Sequence, residues 1–383
     1  MIRRLAAVAS FVTAAATLGA APALAAPAPA ATPPIRHVFV IVLENENYDA
    51  TFGAGTEAPY LGTVLPAKGA LVANYYATGH ASLGNYIALI SGQPEAPMIN
   101  ADCPKFVDLA GAAGAPATVD AAGIATGNGC VYPPAIQTVA DQLEAAHLTW
   151  RGYMEDMGND PLRPDPATPG VPVPEPRSCA RPAPGGNGVL HATPTDSYAY
   201  RHNPFIYFHS IVDRPGACDA NDVRLEQLTS DLRRVATTPN FSFIVPSVCN
   251  DGHDKPACAN GSPGGLVAAD AWLKLWVPRI LAAPAFKKDG LLVITFDEAA
   301  ADGTACCNEP SGPNVTAQGV YGPGGGRTGA VLLSPFVKPG TVLAEPVNHY
   351  GLLKSVEDIF ALPHLGLAAD PGLATFASAY ARP

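Results

Sequence analysis

Basic residues are scarce in this sequence, and no run of them follows Arg3 and Arg4. The chain has 23 Lys and Arg against 33 Asp and Glu, and its formal net charge is −10. A nucleic-acid-binding surface usually requires a cluster of lysines and arginines. The composition therefore disfavours nucleic acid as a partner.

Long hydrophobic runs are also absent beyond the amino terminus. The chain begins MIRRLAAVASFVTAAATLGAAPALAAPAPA, in which two arginines precede an apolar, alanine-rich run and an Ala-Leu-Ala before Ala26. This pattern predicts a secretory signal peptide over residues 1–25, followed by a flexible segment over 26–34. A retained anchor is the alternative, but the run is short and alanine-rich for a permanent span. We expect a secreted protein, extracellular or in the cell envelope, without a stable membrane anchor.

Paired CxxC motifs are missing, which makes a structural zinc site the weaker interpretation of the eight cysteines. An even number of cysteines in an exported chain predicts disulfides. Two pairs with short loops are plausible, Cys103 with Cys130 and Cys249 with Cys258. The adjacent Cys306 and Cys307 are expected to find separate partners.

Buried strands alternate with helical patterns along the rest of the chain. The apolar runs that predict strands are His37–Leu43, Phe241–Ser247, Gly290–Ala299 and Thr328–Val337. The helical patterns are Ala135–Trp150, Asp222–Ala236, Ala268–Pro284 and His349–Leu362. This alternation predicts an α/β fold, a doubly wound and mostly parallel sheet with helices on both faces.

We predict one domain over residues 35–383, with loop insertions at about 158–190 and 299–326. Both insertions are rich in proline, glycine and polar residues, while the strand–helix alternation continues around them. The second insertion and the residues after it contain GPGGGRTG, which could cradle a phosphate. It lacks the lysine followed by serine or threonine of a P-loop, so we interpret it as a mobile loop.

Polar side chains follow three of the predicted strands. They are Glu44 and Asn45 after the first, Asn250, Asp251, His253 and Asp254 after the second, and Asp297 and Glu298 after the third. Taken singly, these residues could form a turn cap, an Asx turn or a solvated loop start. The carboxyl ends of parallel strands share one edge of a sheet, where ligands bind. Together the side chains predict a site for a hard divalent cation, whose identity the sequence leaves open.

The stretch YYATGHASLGNYIALISGQ, from Tyr75 to Gln93, places Ser82 at the start of a helical pattern. Ser82 could cap that helix by accepting from its free N–H groups. It could also be a nucleophile, because a nearby cation lowers the hydroxyl pKa and a helix amino terminus favours phosphoryl oxygens. The two roles are compatible, and we expect both.

Five motifs in order resemble those of the bacterial phosphoesterase family. They are HVFVIVLENENYDATFG, GHASLGNYIALISG, YAYRHNPFIYF, FIVPSVCNDGHD and LLVITFDEA. That family includes secreted acid phosphatases, phosphatidylinositol-phosphate phosphatases and larger phospholipases C, and its fold is similar to that of alkaline phosphatase. The resemblance therefore implies a metal-dependent phosphoesterase with an alkaline-phosphatase-like fold.

The resemblance also implies roles for individual residues. The catalytic set is Ser82 as nucleophile, with His202 or His253 as the proton donor to the leaving group. The substrate-binding set is His80, Asn85 and Arg201. The metal ligands are Glu44, Asn45, Asp297 and Glu298, with Asp251 and His349 as further candidates. Four positions depart from the family pattern: Glu46 replaces an arginine, Ala81 and Gly84 replace prolines, and Gly252 replaces a methionine.

The function expected from this set is a secreted hydrolase of phosphate monoesters, of the acid phosphatase type, acting through a phosphoseryl intermediate. Its partner would be a phosphate ester, with phospholipids and phosphoinositides among the candidates. A phospholipase C-type phosphodiesterase is the alternative with the same site. An inactive, metal-stabilised binding protein is the alternative from another class.

Overall fold

The structure is a computed structural model that describes residues 35–164, 172–189, 191–214, 216–307 and 324–380. The predicted signal peptide and the segment 26–34 lie outside these residues.

Strands and helices alternate along the described part of the chain. The strands are β1 (His37–Leu43), β2 (Ala70–Val72), β3 (Tyr75–Tyr76), β4 (Thr118–Val119), β5 (Ala125–Thr126), β6 (Trp150–Met154), β7 (Leu162–Pro164), β8 (Pro172–Pro174), β9 (Asp222–Arg224), β10 (Phe241–Val245), β11 (Gly290–Phe296), β12 (Ala330–Leu333), β13 (Thr341–Leu343) and β14 (Val347–Asn348). The helices are α1 (Tyr48–Phe52), α2 (Leu65–Lys68), α3 (Ser82–Ser91), α4 (Val139–Ala145), α5 (His209–Val212), α6 (Ala217–Asn221), α7 (Gln227–Asp231), α8 (Gly265–Ala282), α9 (Pro284–Asp289), α10 (His349–Phe360) and α11 (Ala377–Tyr380).

The central sheet has the strand order β13-β2-β12-β11-β1-β10-β6-β9. Strand β1 pairs in parallel with both β10 and β11, so it lies between them with all three carboxyl ends at one edge. Within the central sheet of the described residues, only β12 runs antiparallel to the other strands. The predicted mostly parallel α/β sheet is confirmed.

Both faces of the sheet are covered, as the doubly wound prediction requires. Alternate residues of β1 enter two different cores: Val38, Val40 and Val42 face one, and Phe39, Ile41 and Leu43 face the other. Helices α3 and α10 pack in the first core, and α8 and α9 in the second. A continuous run of buried residues is what a strand covered on both faces requires.

Three predicted elements differ from the structure. The helical pattern Ala135–Trp150 is limited to the helix Val139–Ala145, and its last residue begins β6. The helical pattern Asp222–Ala236 begins as the edge strand β9, because Asp222 pairs with Gly152 of β6, and its helix is limited to Gln227–Asp231. The run Thr328–Val337 forms the shorter β12, which is antiparallel to β11. Its amino end, and not its carboxyl end, therefore meets the edge at which the parallel strands finish.

The disulfides confirm part of the sequence analysis and correct another part. Cys103–Cys130 and Cys249–Cys258 are bonded as predicted, and Cys179–Cys218 is a further bridge. The expectation of separate partners for Cys306 and Cys307 is wrong, since these two are bonded to each other. The other six cysteines are already paired at Cα separations of 5.0 to 5.7 Å, which leaves the adjacent two as partners.

The two predicted insertions differ in how far the structure describes them. The first contains the ribbon of β7 and β8, and Cys179–Cys218 ties its end to the body of the fold. Of the second, residues 308–323 lie outside the described part, and they include only the first two residues, Gly322 and Pro323, of the glycine-rich stretch. No helix of the described residues is long and apolar enough to cross a membrane.

Glu357, near the end of α10, predicts how stability depends on pH. Its side chain is fully buried, Oε1 accepts from the Leu365 N–H at 2.9 Å, and burial raises its pKa from 4.5 to about 9. Between these two pH values the unfolded chain is ionised at Glu357 and the folded chain is not, so stability falls as pH rises. We expect Glu357→Gln to remove about 1.4 kcal/mol per pH unit of this decline. Urea unfolding of both proteins at pH 5, 7 and 9 measures it, and parallel pH profiles would contradict the assignment.

Candidate active site

Three carboxylates converge where β1, β10 and β11 end. Glu44 follows β1, Asp251 follows β10 by six residues, Asp297 follows β11, and all three side chains are fully buried. Backbone hydrogen bonds hold them in register: the Glu44 N–H donates to the Asp251 carbonyl at 2.9 Å, and the Asp297 N–H to the Leu43 carbonyl at 2.8 Å. The sheet edge thus brings Glu44 together with two carboxylates that lie far from it in the chain.

Ser82 faces this cluster from the start of α3. Its hydroxyl donates to Glu44 Oε2 at 3.0 Å. The expected capping role is wrong: Ala81, in extended conformation, is the N-cap residue, and Ser82 is the first helical residue. Asp102 Oδ1 instead accepts from the Leu83 N–H at 3.1 Å. The Ser82 hydroxyl is therefore directed at the carboxylates and not at its own helix.

His202 lies between two of the carboxylates. Its Nε2 is 3.1 Å from Glu44 Oε1 and its Nδ1 is 3.3 Å from Asp251 Oδ2. The ring is buried and stacks on Tyr86, with centroids 5.3 Å apart and planes inclined by 13°. One potential ligand atom from each of Glu44, His202 and Asp251 lies within 4.8 Å of the others. The sequence analysis had placed His202 among the proton donors and not among the ligands.

Six polar atoms around this point are buried and make no hydrogen bond within the described residues. They are Glu44 Oε1, Asn45 Oδ1, both ring nitrogens of His202, Asp251 Oδ2 and Asp297 Oδ2. A buried polar atom without a partner is costly, and several together need an explanation. Carboxylate and amide oxygens with one imidazole form a donor set that suits a divalent cation. These residues fit such an ion.

The electrostatics of the cluster lead to the same conclusion. Burial, reinforced by Asp297 and Asp251, raises the pKa of Glu44 well above its ordinary value, and burial raises the pKa of Asp297 to about 6. Burial and the nearby Arg201 guanidinium lower the pKa of His202. Carboxylates crowded in a dry site resist ionisation together unless positive charge offsets them.

Two amide side chains connect the cluster to the Ser82 turn. Asn45 has a φ of 43°, donates its backbone N–H to Asp297 Oδ1 at 3.1 Å and its side-chain N–H to Glu298 Oε1 at 3.0 Å. Asn85 donates to the other Glu298 oxygen at 3.2 Å and accepts from the backbone N–H groups of Thr78 and Gly79. Both Glu298 oxygens thus accept from amides. Asn85 is fully buried, and it holds the turn at Thr78 and Gly79 that precedes Ser82.

Arg201 and His253 lie on the more open side of the cluster. An Arg201 Nη2–H donates to His253 Nε2 at 3.1 Å, so the imidazole proton is on Nδ1, which lies 2.9 Å from Asp254 Oδ1. The His253 side chain is 36% exposed. Arg201 Nε is 3.7 Å from Asp102 Oδ2, the residue that also holds the α3 amino terminus. No pattern in the sequence indicated Asp102, which belongs to a separate turn after α3.

The other two candidate histidines, His349 and His80, form hydrogen bonds outside the carboxylate cluster. His349 Nε2 donates to the Asp297 carbonyl at 2.5 Å, and Nδ1 accepts from the Tyr75 hydroxyl at 2.8 Å. Both of its ring nitrogens are therefore used, and we leave it out of the proposed ligands. His80 Nε2 donates to the Asp302 carbonyl at 3.0 Å, and its Nδ1 lies 3.9 Å from Glu298 Oε1.

A lysine from another loop lies beside the position of the missing family arginine. Glu46 stands at that position, and Lys255 Nζ is 2.9 Å from its Oε1 and 3.3 Å from the Asn45 carbonyl. Lys255, on the loop that follows β10, therefore places a positive charge beside Glu46 and Asn45.

The glycines at positions 79 and 84 are explained by a buried carboxyl. A Cβ on Gly84 would lie 2.3 Å from Glu95 Oε1 and 2.4 Å from its Cγ, and a Cβ on Gly79 would lie 2.1 Å from Oε1. Glu95 is buried and bonded to the Asn100 amide, so it has little room to move. Glu95 fills the space that a side chain at position 84 would need.

Known proteins resemble this chain over most of its length. The profile of the Phosphoesterase family matches residues 57–363, a range that includes the candidate residues other than Glu44 and Asn45. A probable acid phosphatase of Kluyveromyces lactis is 25% identical over 331 residues, covering 86% of this chain and 59% of that protein. A phosphatidylinositol-3-phosphatase of Mycobacterium tuberculosis is 25% identical over 346 residues, covering 90% and 83%.

The chain matches only part of the length of several relatives and of a solved structure. The chain spans roughly half to three fifths of the length of the yeast and fungal acid phosphatases that it matches. Among solved structures, a protein in the alkaline phosphatase superfamily from Vibrio parahaemolyticus aligns with a TM-score of 0.46 at 12% identity, covering 88% of this chain and 70% of that one.

Replacing Gly84 by alanine tests the packing beneath Ser82. Alanine is the better helix former by up to about 1 kcal/mol, but overpacking costs about 1–3 kcal/mol. We expect Gly84→Ala to destabilise the protein, and the same change in a Glu95→Ala background to be neutral or stabilising. The four unfolding free energies of this double-mutant cycle give the coupling. Equal effects in both backgrounds would show that Glu95 does not occupy this space.

Proposed function

Because this chain belongs to the phosphoesterase family, we propose that it is a metal-dependent hydrolase that cleaves phosphate monoesters through a phosphoseryl intermediate on Ser82. The observation that carries this proposal is the contact of the Ser82 hydroxyl with Glu44, at the rim of a buried donor cluster. A serine so placed has no capping role to explain it.

The proposed ligands are Glu44, His202 and Asp251, together with the oxygens Asn45 Oδ1 and Asp297 Oδ2. This set differs from the set expected from the family resemblance by adding His202 and omitting Glu298 and His349. When bound, a divalent cation would supply Lewis-acid polarisation of oxygen atoms and neutralise phosphoryl charge. Calorimetric titration with individual divalent cations identifies the ion that the site prefers.

The chain's own residues then have distinct tasks. Glu44 Oε2 orients the Ser82 hydroxyl and accepts its proton, while the serine oxygen attacks phosphorus and the bond to the leaving oxygen breaks. Arg201, buried and charged, binds non-bridging phosphoryl oxygens. Asn85 and Asp102 hold the turn and the helix that carry Ser82.

His253 is the proposed proton donor to the leaving alkoxide. It is partly exposed, whereas His202 is enclosed between carboxylates. The substrate must first separate its Nε2 from the Arg201 guanidinium, which then becomes available to the phosphoryl group. The freed Nε2 takes up a proton from solvent and passes it to the leaving alkoxide. Water would release phosphate from Ser82 in the second half of the reaction.

The names of the relatives guide the proposed substrate class. The matched proteins are named acid phosphatases and a phosphatidylinositol-3-phosphatase, so we propose monoesters, with phosphoinositides among them, ahead of diesters. Export is proposed on the signal-like amino terminus and on the disulfides Cys103–Cys130, Cys179–Cys218 and Cys249–Cys258, which are typical of oxidising compartments.

Ser82→Ala tests the nucleophile. We expect turnover of p-nitrophenyl phosphate to fall by at least about 10³-fold, because no other group would form the covalent intermediate. Acid quench of the wild-type protein with ³²P-labelled substrate, followed by peptide mapping, should place the label on Ser82. Label on another residue, or near-normal turnover in Ser82→Ala, would contradict the mechanism. Absence of turnover by wild type on monoesters and diesters would favour a binding protein.

Asp251→Asn tests the metal site. Substituting a residue that only supports a metal ligand lowers metal affinity by roughly 10–100-fold. Because Asp251 is itself a proposed ligand, we expect the affinity of Asp251→Asn for divalent cations to fall by at least about 100-fold. Chelator-treated protein is titrated calorimetrically with Mg²⁺, Mn²⁺, Ca²⁺ and Fe²⁺ in turn. The matched control is Asp289→Asn, a buried carboxyl at the amino edge of the sheet beside His37. Unchanged affinity in Asp251→Asn, or an equal loss in the control, would refute this ligand set.

A further inference from the structure

Two acidic residues directly after β6 have no part in the proposed chemistry. Glu155 and Asp156 follow Met154, and β6 lies beside β10 in the sheet. Glu155 shares the edge at which Glu44, Asp251 and Asp297 converge. Neither residue belongs to a strand tip that the sequence analysis had singled out.

Glu155 binds three donors with its two carboxylate oxygens. Oε2 accepts from the Ser247 N–H at 2.9 Å and from the Asn250 side-chain N–H at 3.1 Å. Oε1 accepts from the Trp272 indole N–H at 3.0 Å, on α8. An ionised carboxylate accepts at both oxygens and donates at neither, so it matches three donors without conflict.

The first two donors belong to the turn that presents Asp251. The N–H groups of Asn250 and Asp251 both donate to the Ser247 carbonyl, at 2.7 and 2.9 Å. Glu155 therefore holds the first residue of this turn through its backbone and the fourth through its side chain. Asp251 comes next, and its Oδ1 accepts from the His253 N–H at 2.8 Å, as in an Asx turn. Its other oxygen, Oδ2, is then directed towards His202.

Asp156 holds the segment that leads to His202. Its Oδ2 accepts from the Ser197 N–H at 3.2 Å, and the Ser197 carbonyl accepts from the Val248 N–H at 3.1 Å. A short 3₁₀ helix, Tyr200–His202, follows three residues later and carries Arg201 and His202. The adjacent carboxylates Glu155 and Asp156 thus each hold one of two segments that are well separated in the chain.

We propose that Glu155 and Asp156 are positioning residues that set the separation of His202 and Asp251, and thereby the affinity of the cluster for a divalent cation. The inference rests on the proposed function for its consequence in catalysis, but not for its consequence in metal binding. Neither side chain touches a proposed ligand directly. Both act through the backbone of the segments that carry the ligands.

Glu155→Gln changes this arrangement without changing its shape. Glutamine has one acceptor oxygen and an NH₂ group, so one side of the carboxamide must face a donor, either the Trp272 indole or the Ser247 and Asn250 pair. We expect the affinity of chelator-treated protein for Mn²⁺, measured by calorimetry, to fall about 10–100-fold. The turnover of p-nitrophenyl phosphate should fall at limiting Mn²⁺ and largely recover at saturating Mn²⁺. Urea unfolding of the metal-free wild-type and Glu155→Gln proteins separates this loss from a general loss of folding, since a bound cation also stabilises the folded state by mass action.

Trp272→Phe supplies the rescue that a merely structural role would not show. Phenylalanine has no N–H, so the glutamine NH₂ can turn towards position 272 while its oxygen serves Ser247 and Asn250. We expect Glu155→Gln to lower Mn²⁺ affinity by less than about threefold in the Trp272→Phe background. Glu357→Gln, at a buried carboxyl near the far end of α10, is the matched control and should leave Mn²⁺ affinity and turnover unchanged.

The outcomes distinguish the two proposals. Unchanged Mn²⁺ affinity in Glu155→Gln, in an active wild-type protein, would overturn the positioning inference alone. Weaker Mn²⁺ binding in Glu155→Gln, in a wild-type protein that binds Mn²⁺ but hydrolyses no phosphate ester, would support the inference and refute the proposed function. Equal losses from Glu155→Gln in the wild-type and Trp272→Phe backgrounds would show that hydrogen-bond matching at Glu155 is not the cause, and would also overturn the inference.

Discussion

Burial of Glu44, Asp251 and Asp297 side by side is the constraint on which the site depends. Each carboxylate follows one of three adjacent parallel strands, and each is fully enclosed. Removing several like charges from water is unfavourable unless positive charge and hydrogen bonds compensate. The Arg201 guanidinium and the hydrogen bonds from Ser82 and Asn45 provide part of that compensation, and the proposed divalent cation would supply the rest.

The surrounding polar network is organised around the same constraint. Amide groups of Asn45 and Asn85 occupy both oxygens of Glu298, and Asp102 accepts from a free N–H in the first turn of α3. These contacts hold the Ser82 turn against the cluster without using the Ser82 hydroxyl, which remains directed at Glu44. A group held in one geometry before substrate arrives needs little reorganisation during the reaction, which is the advantage of a preorganised site.

The departures from the family pattern at positions 84 and 46 have structural explanations here. Glycine at position 84 accompanies the buried Glu95, whose carboxyl fills the space that a side chain there would need. Glu46, in place of an arginine, is paired with Lys255 from the loop after β10. That lysine is 45% exposed and lies close to the Asn45 carbonyl, so the local charge balance is shared between two loops and not carried by one residue.

The sequence by itself predicted four of the eight strands of the central sheet, β1, β10, β11 and β12, and the polar residues after the first three. Runs such as His37–Leu43 are apolar at nearly every position because both faces of the strand are covered, and this local pattern is readable without the fold. Parallel order then required the residues after β1, β10 and β11 to meet. Only the tertiary structure decided how those residues divide their contacts. His202 lies between Glu44 and Asp251, and Asp102 rather than Ser82 accepts from the first turn of α3. Cys306 bonds to Cys307 because the other cysteines pair elsewhere. These outcomes depend on distances between segments far apart in the chain, and hydrogen-bond partners are chosen by such distances and not by local pattern.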